Sequence, residues 1–151
     1  MISIIAIGKR HEAWIVDGVE RYSKRLQGPW KLDWILLPHS SYEGLQARQD
    51  ESRRILERLS PSDAVVLLDE KGRMLDSPSL ARHFEALQAS GRRIICVIGG
   101  AYGVTDDVLE RADFVWSLSP LVYPHQLVRL IVAEQLYRAQ CITSNHPYHH
   151  E

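Results

Sequence analysis

Arg93-Ile94-Ile95-Cys96-Val97-Ile98-Gly99-Gly100-Ala101-Tyr102-Gly103 is a short, β-branched apolar run that breaks off into glycines. It reads as a buried strand from Arg93 to Ile98 followed at once by a tight turn. Similar runs recur along the chain: Ile2 to Ile7, Trp30 to Leu37, Ala64 to Leu68 and Phe114 to Leu118. Between them lie stretches of helical spacing. Trp14, Ile15, Val19, Tyr22 and Leu26 mark one helix, and a polar run up to Leu59 marks a second on the surface. Ser77-Pro78 opens a third, with Ser77 as its expected cap and Pro78 in its first turn. A short helix runs from Thr105 to Arg111, and a long one from Pro124 to about Gln140. Strands that alternate with helices over short connections predict an α/β fold, a mostly parallel sheet with helices on both faces.

The chain has 151 residues, the length of one domain, so 1–151 is read as a single unit. Its 18 Lys and Arg against 19 Asp and Glu leave a net charge of −1. Binding nucleic acid by bulk charge alone is excluded by that balance; a local basic patch, or one built when two chains assemble, is not. Cys96 and Cys141 have no C-x-x-C spacing, so neither a disulfide framework nor a zinc site is expected. No apolar stretch is long enough to span a bilayer. The charges Lys9 and Arg10 follow the first apolar run, the reverse of a signal peptide, so a cytoplasmic protein is expected.

Three segments offer chemistry. The glycine turn stands at the carboxyl end of a strand, where open α/β sheets bind ligands, and its glycines allow close backbone approach. No Lys-Ser/Thr follows it, so it is not a phosphate-binding P-loop. The loop Leu118-Ser119-Pro120-Leu121-Val122-Tyr123 is too apolar for an ordinary surface loop. Either the fold covers it, or it forms a slot for a flat ring whose polar edge the loop backbone reads. The tail Asn145-His146-Pro147-Tyr148-His149-His150-Glu151, with Arg138 before it, gathers groups that stack on a base, contact phosphate or move protons. Its plain alternative is a frayed end. No acidic partner accompanies its histidines, and no metal is expected. The last helix carries an apolar face wide enough for a chain-to-chain interface as well as a core.

Taken in order, Ile98-Gly99-Gly100-x-x-Gly103, Leu118-Ser119, Pro124-His125-Gln126-x-x-Arg129, Glu134-Gln135-x-Tyr137-Arg138-Ala139 and Pro147-Tyr148-His149 resemble the bacterial large-subunit ribosomal RNA pseudouridine N3-methyltransferases. These belong to the SPOUT superfamily of knotted methyltransferases. The resemblance extends over nearly the whole chain, with Ala6 to Lys9 and Leu67 to Gly72 included. It departs at Ala101-Tyr102 and at His150, where a basic residue is usual. The resemblance implies a C-terminal trefoil knot, a homodimer, and S-adenosylmethionine held by Leu68, Gly99, Gly100 and the run Leu118, Ser119, Pro120, Leu121, Val122 and Tyr123. It further implies His149 as a proton acceptor or orienting group, Tyr148 as a stacking or hydrogen-bonding group, and Arg138 as steadying the developing charge or a phosphate. The expected substrate is the assembled ribosome. Two other readings stay open, a related enzyme acting on transfer RNA and a non-catalytic ribosome-associated dimer.

Overall fold

The computed structural model describes residues 1–150. Five strands form one all-parallel sheet: β1 (Ile2–Ile7), β2 (Leu32–Leu37), β3 (Ala64–Met74), β4 (Ile94–Ile98) and β5 (Phe114–Ser117), in the order β2-β1-β4-β3-β5. Between and after them run α1 (Ala13–Ser23), α2 (Gly44–Glu57), α3 (Ser77–Ala89), α4 (Asp106–Arg111) and α5 (His125–Thr143).

The period-two alternation of the central strands divides the core into two layers. Ile2, Ile4, Ala6, Val66, Ile94, Cys96 and Ile98 point to one face, where Phe84, Val132 and Leu136 of α3 and α5 meet them. Ile5, Ile7, Val65, Leu67, Ile95 and Val97 point to the other, beneath Ile55 of α2 and Val108 of α4. Because both faces are covered, the central part of the sheet is built from nearly continuous apolar runs, Ile4 to Ile7, Ala64 to Leu68 and Ile94 to Ile98. Helix α5 lies between α1 and α3. Its approach to α1 is close: a β-carbon at Gly18 would stand 2.6 Å from Leu130 Cδ1. A glycine inside a helix costs about 1 kcal/mol relative to alanine, and here it admits the packing of the two helices.

Three local readings change. Residue 76 caps α3: Asp76 accepts from the Ser79 amide at 2.8 Å, while the Ser77 hydroxyl instead donates to Gln135 on α5 at 3.0 Å. Strand β3 continues past Leu68 to Met74, with a register shift against β5 between Leu68 and Arg73. Gly72 allows this, since a β-carbon there would lie 2.5 Å from the Val115 carbonyl oxygen. The polar sequence Asp69-Glu70-Lys71 hid the extension, because it has no apolar alternation. Finally, Trp30 sits in a 3₁₀ turn, Gly28–Trp30, and the second strand starts only at Leu32.

Candidate active site at the carboxyl ends of the strands

The carboxyl ends of β3, β4 and β5 open into one cavity of about 710 Å³. Leu68 at the end of the paired part of β3, Gly99 and Gly100 after β4, and Leu118, Ser119, Leu121, Val122 and Tyr123 after β5 all line it. Eight of the nine residues expected to hold the donor thus meet here. Pro120 is exposed and does not line the cavity.

The glycines are demanded by what stands behind them. A β-carbon at Gly99 would come 2.9 Å from Val104 Cγ1, and one at Gly100 would come 2.7 Å from Glu51 Oε1 and 3.2 Å from Ile7 Cγ2. Gly100 and Gly103 close a tight turn through a 3.0 Å bond from the Gly103 amide to the Gly100 carbonyl. Gly103 takes φ +76°, a conformation glycine reaches without strain. The loop after β5 is fixed by its serines: the Ser117 hydroxyl donates to the Ser119 carbonyl at 3.0 Å, and the Leu121 amide donates to the Ser119 hydroxyl at 3.0 Å. Leu121 and Val122 stay 67% and 79% exposed, so within this chain the apolar loop is left uncovered.

The first turn of α5 is bolted to the end of β1. Arg129 is fully buried and donates to the carbonyls of Ile7 (2.8 Å), Gly8 (3.2 Å) and Arg10 (3.0 Å). Gln126 accepts from the Glu12 amide at 2.9 Å. His125 lines the cavity beside them; burial, then the Arg129 charge, lowers its pKa and favours the neutral ring. Neither Arg129 nor Glu51 stood among the expected site residues. Arg129 sits within the quoted Pro-His-Gln-x-x-Arg spacing, and that was the only signal for it.

The tail folds back against the middle of α5. The Tyr148 ring meets Tyr137 edge-on at 4.7 Å, Arg138 lies 4.8 Å over the Tyr148 ring, and the Tyr148 hydroxyl donates to Glu134 at 3.1 Å. Arg138 also donates to His149 Nδ1 at 3.1 Å and pairs with Glu134 at 3.1 Å. Burial foremost, with hydrogen bonds to Tyr22 and Glu134 and the Glu134 charge, raises the Tyr148 pKa above the usual tyrosine value. His149, Tyr148 and Arg138 are therefore brought together, with Glu134 as a fourth member. They are not brought to the cavity. Arg138 is ten residues along α5 from Val128 of the cavity wall, about 15 Å at 1.5 Å per residue. Among the described residues no three His, Cys, Asp or Glu side chains gather to hold a metal ion, and no helix is long and apolar enough to cross a membrane.

Residues 1–149 match the model of a family described as "Predicted SPOUT methyltransferase". The chain belongs to this family. It is 41% identical over 150 residues to a protein of Xylella fastidiosa named "Ribosomal RNA large subunit methyltransferase H", covering 97% of this chain and 95% of the relative. Proteins with the same name from Xanthomonas campestris pv. campestris (strain B100) and Thioalkalivibrio sulfidiphilus are 43% and 40% identical. Those matches cover 97% and 99% of this chain, and 96% and 99% of the relatives. The SPOUT methyltransferase membership accounts for an α/β fold whose ligand-sized opening lies at the strand ends.

Proposed function

We propose that this enzyme transfers a methyl group from S-adenosylmethionine to N3 of a pseudouridine in large-subunit ribosomal RNA, on the assembled ribosome in the cytoplasm. The observation that carries the reading is the cavity at the ends of β3, β4 and β5, in a chain matched over its length by relatives named as large-subunit ribosomal RNA methyltransferases. Its size falls in the range of small-molecule sites. Leu68, Leu118 and Leu121 offer flat apolar walls to an adenine, and the backbone of residues 119–123 offers partners for its polar edge. The bound donor supplies an electrophilic methyl on a sulfonium; no metal is part of the reading.

The chain's own residues then position the base and take its proton. His149 would accept the N3 proton of the base at Nδ1, the Arg138 guanidinium that donates to that nitrogen at 3.1 Å moving onto the charge of the base. Tyr148, kept protonated by its raised pKa, orients or stacks the base. Arg138 steadies the charge that develops on it. Because the tail and the cavity stand about 15 Å apart along α5, the reading includes a homodimer in which one chain's tail serves the other's cavity. Half-buried Leu127, Leu130 and Ile131 on α5 and exposed Leu121 and Val122 supply apolar surface for it. The reading also includes a trefoil knot formed as the chain passes from β5 to α5.

The test is transfer of labelled methyl to ribosomes that lack the modification, followed by nucleoside analysis. Labelled N3-methylpseudouridine is the expected product; label in transfer RNA alone, or none, overturns the reading. In sedimentation, wild type is expected as a dimer at micromolar concentration, and Ile131→Asp as a monomer.

A further inference from the structure

Arg48 of α2 lines the cavity together with Tyr102, and both are exposed. Its Nε donates to the Tyr102 carbonyl at 2.8 Å. That bond fixes the plane of the guanidinium, and neither Nη1 nor Nη2 has a hydrogen-bond or ion-pair partner among the described residues. A planar cation held by one corner, with its two-pronged edge turned to solvent, matches the geometry of a phosphate group. Three other arginines show the contrast. Arg53 and Arg54 of the same helix are consumed by Asp50 and Glu57, and Arg93 by Asp63.

Tyr102 is the third residue of the turn closed between Gly100 and Gly103, so its backbone is anchored twice, by the turn and by Arg48. Tyr102 is 42% exposed, and no aromatic or cationic group packs on its ring among the described residues. An exposed ring on a rigid turn offers a face for a base that has left its stack. Both groups sit within one cavity mouth, where a nucleotide must enter to meet the donor.

We propose that Arg48 and Tyr102 receive the RNA at the mouth of the cavity, Arg48 gripping a backbone phosphate and Tyr102 stacking a base beside the target. This rests on the reading of the substrate as RNA. It gives a chain of net charge −1 a local grip, with no need for a basic surface.

The test compares Arg48→Ala, Arg48→Lys, Tyr102→Ala and Tyr102→Phe with wild type. KM for unmodified ribosomes, its salt dependence, and calorimetric affinity for S-adenosylmethionine are measured, with melting temperature as the check on folding. Arg48→Ala should raise KM for ribosomes about tenfold and flatten the slope of log(kcat/KM) against log salt by about 0.7, one phosphate contact. Arg48→Lys should recover the slope but not the whole affinity, since an ammonium keeps the charge and loses the fork. Tyr102→Ala should raise KM by about tenfold as a stacked base is lost, and Tyr102→Phe should behave as wild type. Affinity for S-adenosylmethionine should not move. Unchanged KM and slope in correctly folded variants overturn the proposal. So does a loss of S-adenosylmethionine affinity in Arg48→Ala with ribosome KM unchanged, which would assign the guanidinium to the donor's carboxylate. If wild type itself methylates no ribosomes, the substrate reading has failed instead, and these variants can then be told apart from it by RNA binding alone.

Discussion

Replacing Arg129 by Met should destabilise the fold by about 3 kcal/mol. The side chain is fully buried and faces no carboxylate within ion-pair distance among the described residues; its charge is met by the carbonyls of Ile7, Gly8 and Arg10. Hydrogen bonds to a charged group contribute about 1.5–3 kcal/mol each, and a buried acceptor left alone costs about 1–3 kcal/mol. Set against these three bonds is the relief of a desolvated cation, which a methionine of similar length does not have to bear. Arg10 also keeps its bond from Gln126 at 3.3 Å. The surviving loss is about one bond's worth for each of Ile7 and Gly8, with a smaller share for Arg10. For a chain of this size, about 3 kcal/mol lowers the melting temperature by about 6–12 °C.

Thermal unfolding followed by circular dichroism, with urea unfolding as a second measure, reads this directly. Arg129→Lys should recover less than half, because one ammonium cannot reach three carbonyls that the guanidinium spans. A melting temperature within 2 °C of wild type for Arg129→Met would refute the reasoning. It would show that the bolt between β1 and α5 contributes nothing net, and that the buried charge costs as much as its bonds return.

Deleting Pro147 to Glu151 should leave affinity for S-adenosylmethionine unchanged in calorimetry and reduce methyl transfer about a hundredfold or more. Because Tyr148 packs on Tyr137, the same deletion should also lower stability by about 1–2 kcal/mol, which urea unfolding measures. Gly99→Val should weaken donor binding and cost some stability as well, since its β-carbon meets Val104 Cγ1 before it meets the cavity; Gly99→Val with wild-type affinity would remove that turn from the site. Asp63 has its pKa held down, first by the hydrogen bonds from Arg93 and further by the Ser60 amide. A depressed folded-state pKa gives stability that is present above the unfolded value of about 3.9 and is lost as pH falls through the folded one. Urea midpoints from pH 6 downward should therefore fall more steeply for wild type than for Asp63→Asn.

The five strands were legible because a sheet covered on both faces leaves each central strand apolar, and runs such as Ile94 to Ile98 have no other reading in a chain of this composition. The extension of β3 through Asp69-Glu70-Lys71 was not, since polar residues at a cavity rim carry no periodicity. The Asp76 cap was missed in favour of Ser77 because both residue types cap helices, and the choice falls to Ser77's bond with Gln135, a contact 58 residues away. The cavity residues were legible as glycines at a strand end and an apolar loop. What Gly100 accommodates was not, because Glu51 reaches it from another helix. Arg48 lay among ordinary helix charges, and only the fold distinguishes an arginine tied by Nε from one spent in an ion pair.

Helix α5 holds the cavity wall at Val128 and the tail cluster at Arg138, ten residues or about 15 Å further along. In the proposed dimer each complete site takes its cavity from one chain and its tail from the other, so two differently damaged chains should restore one another. Gly99→Val removes a cavity but keeps a tail; the chain lacking Pro147 to Glu151 keeps a cavity but loses the tail. Mixed and allowed to exchange, half the dimers pair one of each, and each mixed dimer holds one intact site of two, giving about a quarter of wild-type methyl transfer from two nearly inactive preparations. A site built within a single chain would leave every mixed dimer with no intact site, and activity would stay at the level of the parents. Recovery on mixing, measured with labelled donor and unmodified ribosomes, thus separates a shared site from an internal one. No recovery, with exchange confirmed by mass spectrometry, would mean that the tail swings back along its own helix to the cavity.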